Sequence, residues 1–147
     1  MTASERFNES DRRQILDTIK EAEKNTSGEI RLFIEDDCGE HVLDRAAFIF
    51  TELELHKTKE RNAVLFYLAT DSRQFAILGD QGIHSKVEKD FWHAIKHEMQ
   101  NHFTEGDFVK GLTNGIRMSG EALKQHFPHK KKDKNELSDE IVFGKKK

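Results

Sequence analysis

At 147 residues, with 35% hydrophobic and 35% charged residues, the chain is sized for one domain, since a chain near this length buries about 70% of the surface it exposes when unfolded. The charges nearly cancel at a net of −3, which argues against a strongly steered polyanionic partner such as nucleic acid. No apolar run approaches the ~20 residues of a membrane span, the start MTASERFNES lacks the apolar stretch of a secretory signal, and Cys38 has no second cysteine for a disulfide, so a reducing, cytoplasmic setting is expected.

In chain order, Ser10-Asp11 is suited to cap a first helix in which Ile15, Leu16, Ile19 and Ala22 recur at helical spacing until Ser27-Gly28 stops it. Glu29-Ile30-Arg31-Leu32-Phe33-Ile34 then reads as a strand that runs directly into Glu35-Asp36-Asp37. From Val42 to about Leu55 the stripe Leu43, Ala46, Ala47, Phe50 and Leu53 predicts a second helix. The run Ala63 to Ala69 is apolar without alternation, as in a central strand buried on both faces. Thr70-Asp71-Ser72-Arg73 is a turn by composition, and Gln74 to Leu78 is the returning strand of a hairpin.

Beyond Gly82 a third helix is predicted over about Lys86 to Phe103, with Val87, Phe91, Ile95 and Met99 on one side. A fourth runs from about Asp107 to Phe127 on the stripe Phe108, Leu112, Ile116, Leu123 and Phe127. Gly111, Gly115 and Gly120 interrupt it, each at a cost of about 1 kcal/mol relative to Ala, which points to close packing against a neighbour. After Pro128 the stretch HKKKDKNELSDE is too polar to build a core, so 1–127 reads as the domain and 128–147 as a flexible charged tail. Within that tail, DEIVF at 139–143 could still dock as an edge strand or grip the body.

This order predicts an α/β fold, a three-layer sandwich with a mixed central sheet and helices on both faces. The first two strands, joined by a helix, should be parallel with a right-handed crossover, and the second and third antiparallel. Parallel strands end on one edge of a sheet, and open α/β sheets bind ligands there. Glu35, Asp36 and Asp37 should therefore meet Thr70 and Asp71 at one crevice. Carboxylates from two loops suit hard cations, which makes Asp36, Asp37 and Asp71 candidate ligands for Ca²⁺ or Mg²⁺; the alternative is that these acidic loops are simply solvated. The turn Gly79-Asp80-Gln81-Gly82 should lie at the opposite edge, which leaves Asp80 in a separate acidic turn.

Other motifs carry less. Cys38 and Arg45 are spaced one residue too far apart for a cysteine-dependent phosphatase loop and lack its glycine-rich cradle. Neither an Asp-x-Asp nor a Gly-x-x-x-x-Gly-Lys phosphate loop is present, so phosphate hydrolysis would rely on a metal-bound water. His93 and His97 stand at i, i+4 but oppose the apolar side of their helix, which reads as solvent-facing; His102 falls on the apolar side and reads as a hydrogen-bonded, partly buried histidine. The run His129-Lys130-Lys131-Lys132 has no interleaved aromatic ring, so nucleic-acid binding is not expected.

Several pieces in a fixed order resemble the TPM domain family, named partly for a thylakoid-lumen acid phosphatase. These are Gly28-Glu29-Ile30, the Asn-x-Val-Leu opening at Asn62 to Leu65, Asp71-Ser72-Arg73, the Gly79 to Gly82 turn, Phe103-x-x-Gly106-Asp107-Phe108, and Gly111-Leu112. The resemblance runs from about Ile15 to Leu123. Ala63 stands where the family usually has Gly, a conservative change, and the family's Gly-x-Gly at the third-strand exit is here Gly79-Asp80-Gln81-Gly82, which adds a carboxylate. Many members carry a signal peptide and membrane anchor that this sequence does not show. The resemblance implies an α/β sandwich with an acidic, divalent-metal-binding region, and acid phosphatase activity for some members; others act in assembly of photosynthetic complexes or as receptor auxiliaries. Two functions are thus expected. One is a metal-binding, phosphatase-like domain acting on a phosphorylated substrate, with Glu35 bonding a metal water and Arg73 meeting a phosphate oxygen. The other is a non-catalytic module for a protein partner, in which metal only orders loops.

Overall fold

The computed structural model describes residues 1–128 and 141–144. A short helix α1 (Ala3–Arg6) leads into α2 (Glu9–Glu23), strand β1 (Glu29–Glu35) and helix α3 (Val42–Glu52). After a single 3-10 turn at Leu55–Lys57 come β2 (Ala63–Ala69), β3 (Gln74–Gly79) and the one-turn helix α4 (Gln81–His84). Helices α5 (Phe91–Thr104) and α6 (Phe108–His126) precede β4 (Ile141–Phe143). The expected mixed sheet and hairpin are present, in the strand order β3-β2-β1-β4. β1 is parallel to β2 and to β4, whereas β2 and β3 are antiparallel.

Every residue of β1 and β2 is buried, which is why the β2 run Ala63–Ala69 is apolar without alternation. One face packs Ile30, Leu32, Ile34, Val64, Phe66 and Leu68 against α2, α5 and α6. The other packs Phe33, Leu65, Tyr67 and Ala69 beneath Ala46 and Ile49 of α3. This gives the three layers, with a thick helical layer on one side and a thin one on the other.

The differences from expectation are local. Asn8, not Ser10-Asp11, caps α2, and it forms a capping box with Asp11; the actual cap lies just before the acidic start. The third predicted helix begins late, at Phe91, because the chain first turns through α4, whose cap is Asp80. Helix α1 has no periodic signal in sequence because it is a single turn; its apolar Ala3 and the adjoining Phe7 are buried. Ile141–Phe143 docks as an edge strand on β1, one of the two outcomes expected for this segment, so these three residues of the predicted tail belong to the sheet. The lysine run Lys130-Lys131-Lys132 and the flexibility expected of its surroundings lie outside the described residues.

Candidate functional site at the acidic sheet edge

β1 and β2 run in register from Glu29 opposite Ala63 to Glu35 opposite Ala69, so their C-terminal ends finish together. The pairing continues past both strands: the Thr70 amide donates to the Glu35 carbonyl at 2.9 Å and the Asp71 amide to the Asp36 carbonyl at 2.7 Å. The expected meeting of the two acidic loops is therefore a backbone fact. Side chains then separate according to strand alternation.

Glu35 faces α3. Its carboxylate is 5% exposed and takes both nitrogens of the Arg45 fork, Nε at 2.8 Å and Nη2 at 2.9 Å, together with the Tyr67 hydroxyl. The bidentate carboxylate raises the Arg45 pKa above its ordinary range. Burial, and then donation to Glu35, pushes the Tyr67 phenol well above its ordinary value, so it stays protonated and donating. Both oxygens of Glu35 are engaged, on the α3 side of the sheet.

Asp36 faces the other way, and its Oδ1 accepts from the Ala3 amide of α1. Asp37, exposed, accepts from the Ser72 hydroxyl, whose oxygen in turn accepts from the Cys38 amide at 3.1 Å. Asp71 is half exposed and pairs with Arg6 at 3.3 Å. Arg73 is exposed at the tip of the hairpin, where its φ of 53° places it in the left-handed region. Thr70, 4% exposed, has a hydroxyl with no partner among the described residues. By alternation it shares the face of Phe66 and Leu68, one register step beyond the Glu35–Ala69 pair.

For a hard divalent cation the donor chemistry at this edge fits: three carboxylates on two loops, plus a buried hydroxyl that lacks a partner among the described residues. The grouping is looser, since among the described residues no three His, Cys, Asp or Glu side chains lie close enough together to hold a metal ion. Asp36, Asp37 and Asp71 instead each have a separate partner, Ala3, Ser72 and Arg6 respectively.

Asp80 is at the other end of the sheet, next to Gly79, which pairs with Val64 near the start of β2. Its buried carboxylate takes the Arg61 fork at 2.6 and 2.9 Å and caps α4 through the Gln81 amide at 2.8 Å. The hydrogen bond to Asp80 raises the Arg61 pKa. This is a structural staple, and Gly82 beside it lets the backbone pass: a Cβ there would stand 2.1 Å from the Glu60 carbonyl. His93 and His97 are exposed, as expected. His102 is partly buried and bonded to Glu98 and Asn114, both at 3.1 Å.

Sequence reasoning placed Thr70 at this crevice but missed Arg6 and the Glu35 partners. Tyr67 carried a readable signal, because a lone hydroxyl in an apolar buried strand must find a polar partner. Arg6 carried none, since its partner lies 65 residues away.

Among the described residues no helix is long and apolar enough to cross a membrane. No match was found among curated proteins. Among solved structures, the chain is similar to the BA42 protein of the psychrophilic bacterium Bizionia argentinensis, at 41% identity and a TM-score of 0.88, over 94% of this chain and 95% of that one. It shares its fold with the N-terminal domain of a protein from P. gingivalis, at 17% identity and a TM-score of 0.66, over 84% and 82% of the two chains. The same holds for the N-terminal domain of the cg2496 protein of Corynebacterium glutamicum, at 15% identity and a TM-score of 0.58, over 80% and 74%. The TPM domain model matches residues 2–122, and the chain belongs to the TPM domain family.

Proposed function

We propose that this TPM domain is a divalent-cation-binding module, taking Ca²⁺ or Mg²⁺ on Asp36, Asp37 and Asp71 where the two parallel strands end. The observation that carries the reading is the buried Thr70 hydroxyl, without a partner among the described residues, at an edge where the Asp71 amide bonds the Asp36 carbonyl at 2.7 Å. A buried polar atom left unpaired costs free energy, and a cation or its water shell at this edge would satisfy it. Neutralising the carboxylates would fix the two loops against one another and present a defined surface to a protein partner.

The non-catalytic form is favoured over a phosphatase by the state of Glu35. A general base must be within reach of the water that it activates, whereas both Glu35 oxygens are taken by Arg45 and Tyr67 on the α3 side. In a phosphomonoesterase Arg73, exposed at the hairpin tip, would be the phosphate contact. One sample tests both. Ca²⁺ and Mg²⁺ are titrated while backbone amide shifts are followed, and a generic phosphomonoester is then assayed with and without chelator. Saturable shifts at residues 36, 37 and 70–72 without turnover are expected. Turnover abolished by chelator and by Asp71→Asn would establish the phosphatase instead, and no shifts with either ion would remove the cation site.

A further inference from the structure

The two ends of the chain meet at this edge. β4 adds to β1 with Ile141 opposite Leu32 and Phe143 opposite Ile34, and the Gly144 amide donates to the Ile34 carbonyl at 2.8 Å. The slot is short and bounded. At one end the Glu23 carboxylate takes the Ile30 amide at 2.6 Å, and at the other a Cβ on Gly144 would stand 2.8 Å from the Glu35 Cβ. Only a small residue fits after Phe143.

The Phe143 ring lies 6.4 Å from Phe7 and under the Arg12 guanidinium at 4.6 Å. Arg12 in turn donates to the Phe7 carbonyl at 2.8 Å and to the Ser4 hydroxyl at 3.0 Å, tying α1 to α2. Phe7 is 2% exposed and follows Arg6 directly. α1 is one turn long, so it has little stability of its own and depends on these contacts for its position. It places two groups on the acidic edge, the Ala3 amide on Asp36 and the Arg6 guanidinium on Asp71.

We infer that the C-terminal strand is an intrachain clamp on the acidic edge: docked in the β1 slot, it holds α1 so that Arg6 serves as an internal counter-ion, and its release opens the edge to an external cation. The affinity for a divalent cation is then set by the state of the C-terminal segment, which any partner able to withdraw or replace that strand controls. The cation half of this inference rests on the function proposed above; the clamp itself does not.

The full chain and three variants test it: Arg6→Gln, which removes the counter-ion, and Phe143→Ala and Gly144→Val, which loosen the strand by different means. Two readouts are needed, the Ala3 amide shift without added metal and the Ca²⁺ affinity by titration. The expected result is a displaced Ala3 amide in both strand variants and a Ca²⁺ affinity raised roughly two- to five-fold in all three, the range an exposed ion pair allows. Arg6→Gln combined with Phe143→Ala should gain little over Arg6→Gln alone. An unmoved Ala3 amide in both strand variants, or, where Ca²⁺ binds, an affinity unchanged by Arg6→Gln, overturns the clamp. A displaced Ala3 amide with no Ca²⁺ or Mg²⁺ binding in any variant supports the clamp and overturns the cation reading.

Discussion

Tyr67→Phe removes one oxygen from the interior and leaves the ring in place, stacked on Phe33 with centroids 6.1 Å apart. The consequence follows from what that oxygen does. Tyr67 is 1% exposed and donates to Glu35, itself 5% exposed, so neither group can turn to water for a replacement. A hydrogen bond to a charged group contributes about 1.5–3 kcal/mol, so Tyr67→Phe should destabilise the fold by that amount. For a chain of 147 residues this lowers Tm by roughly 6–12 °C, at about 4 °C per kcal/mol. Arg45→Met should cost more, about 3–5 kcal/mol, because it leaves a buried carboxylate without its counter-charge. The triple change Glu35→Leu, Arg45→Met and Tyr67→Phe removes charge and partners together and should recover most of the loss. Urea unfolding with an unchanged slope is the assay. A loss under about 0.5 kcal/mol for Tyr67→Phe, or a triple variant less stable than Arg45→Met, refutes the view that these three side chains form one mutually satisfied unit.

Other outcomes follow from other parts of the fold. Gly82→Ala should destabilise by at least about 1–3 kcal/mol in the same assay, since the added Cβ meets the Glu60 carbonyl at 2.1 Å and backbone cannot step aside. Asp80→Ala should cost about 1–2 kcal/mol through loss of the α4 cap and should leave cation titrations at residues 36, 37 and 70–72 unchanged, because Asp80 is at the opposite sheet edge. The Glu98 carboxyl is held below its ordinary range, first by the His102 hydrogen bond and then by Asn114. Its contribution to stability is therefore complete above the unfolded carboxyl pKa of about 4.3 and disappears as pH falls through the lower folded value. Glu98→Gln should accordingly be less stable than wild type near pH 6 and converge with it on acidification, as followed by thermal melts across that range.

Much of this protein was settled by local sequence. The unalternating apolar run at Ala63–Ala69 dictated a strand buried on both faces, because only flanking helices on each side can accommodate it. The helical connection between β1 and β2 dictated their parallel pairing, and that pairing put residues 35–37 and 70–71 at one edge. What sequence could not distribute was the acidic run itself. Glu35 and Asp36 are neighbours in the chain, yet strand alternation turns one toward α3, Arg45 and Tyr67 and the other toward α1 and Ala3. Which carboxylate is a buried staple and which lines an open edge depends on the packing of elements far apart in sequence. The same is true of Arg6 on Asp71, 65 residues apart, and of Phe143 on Phe7, which joins segments near opposite ends of the chain. Short-range pattern fixes which segments become strands and helices, whereas the partners of each charge are chosen by tertiary packing, because a charged side chain's environment comes from whatever the fold brings beside it.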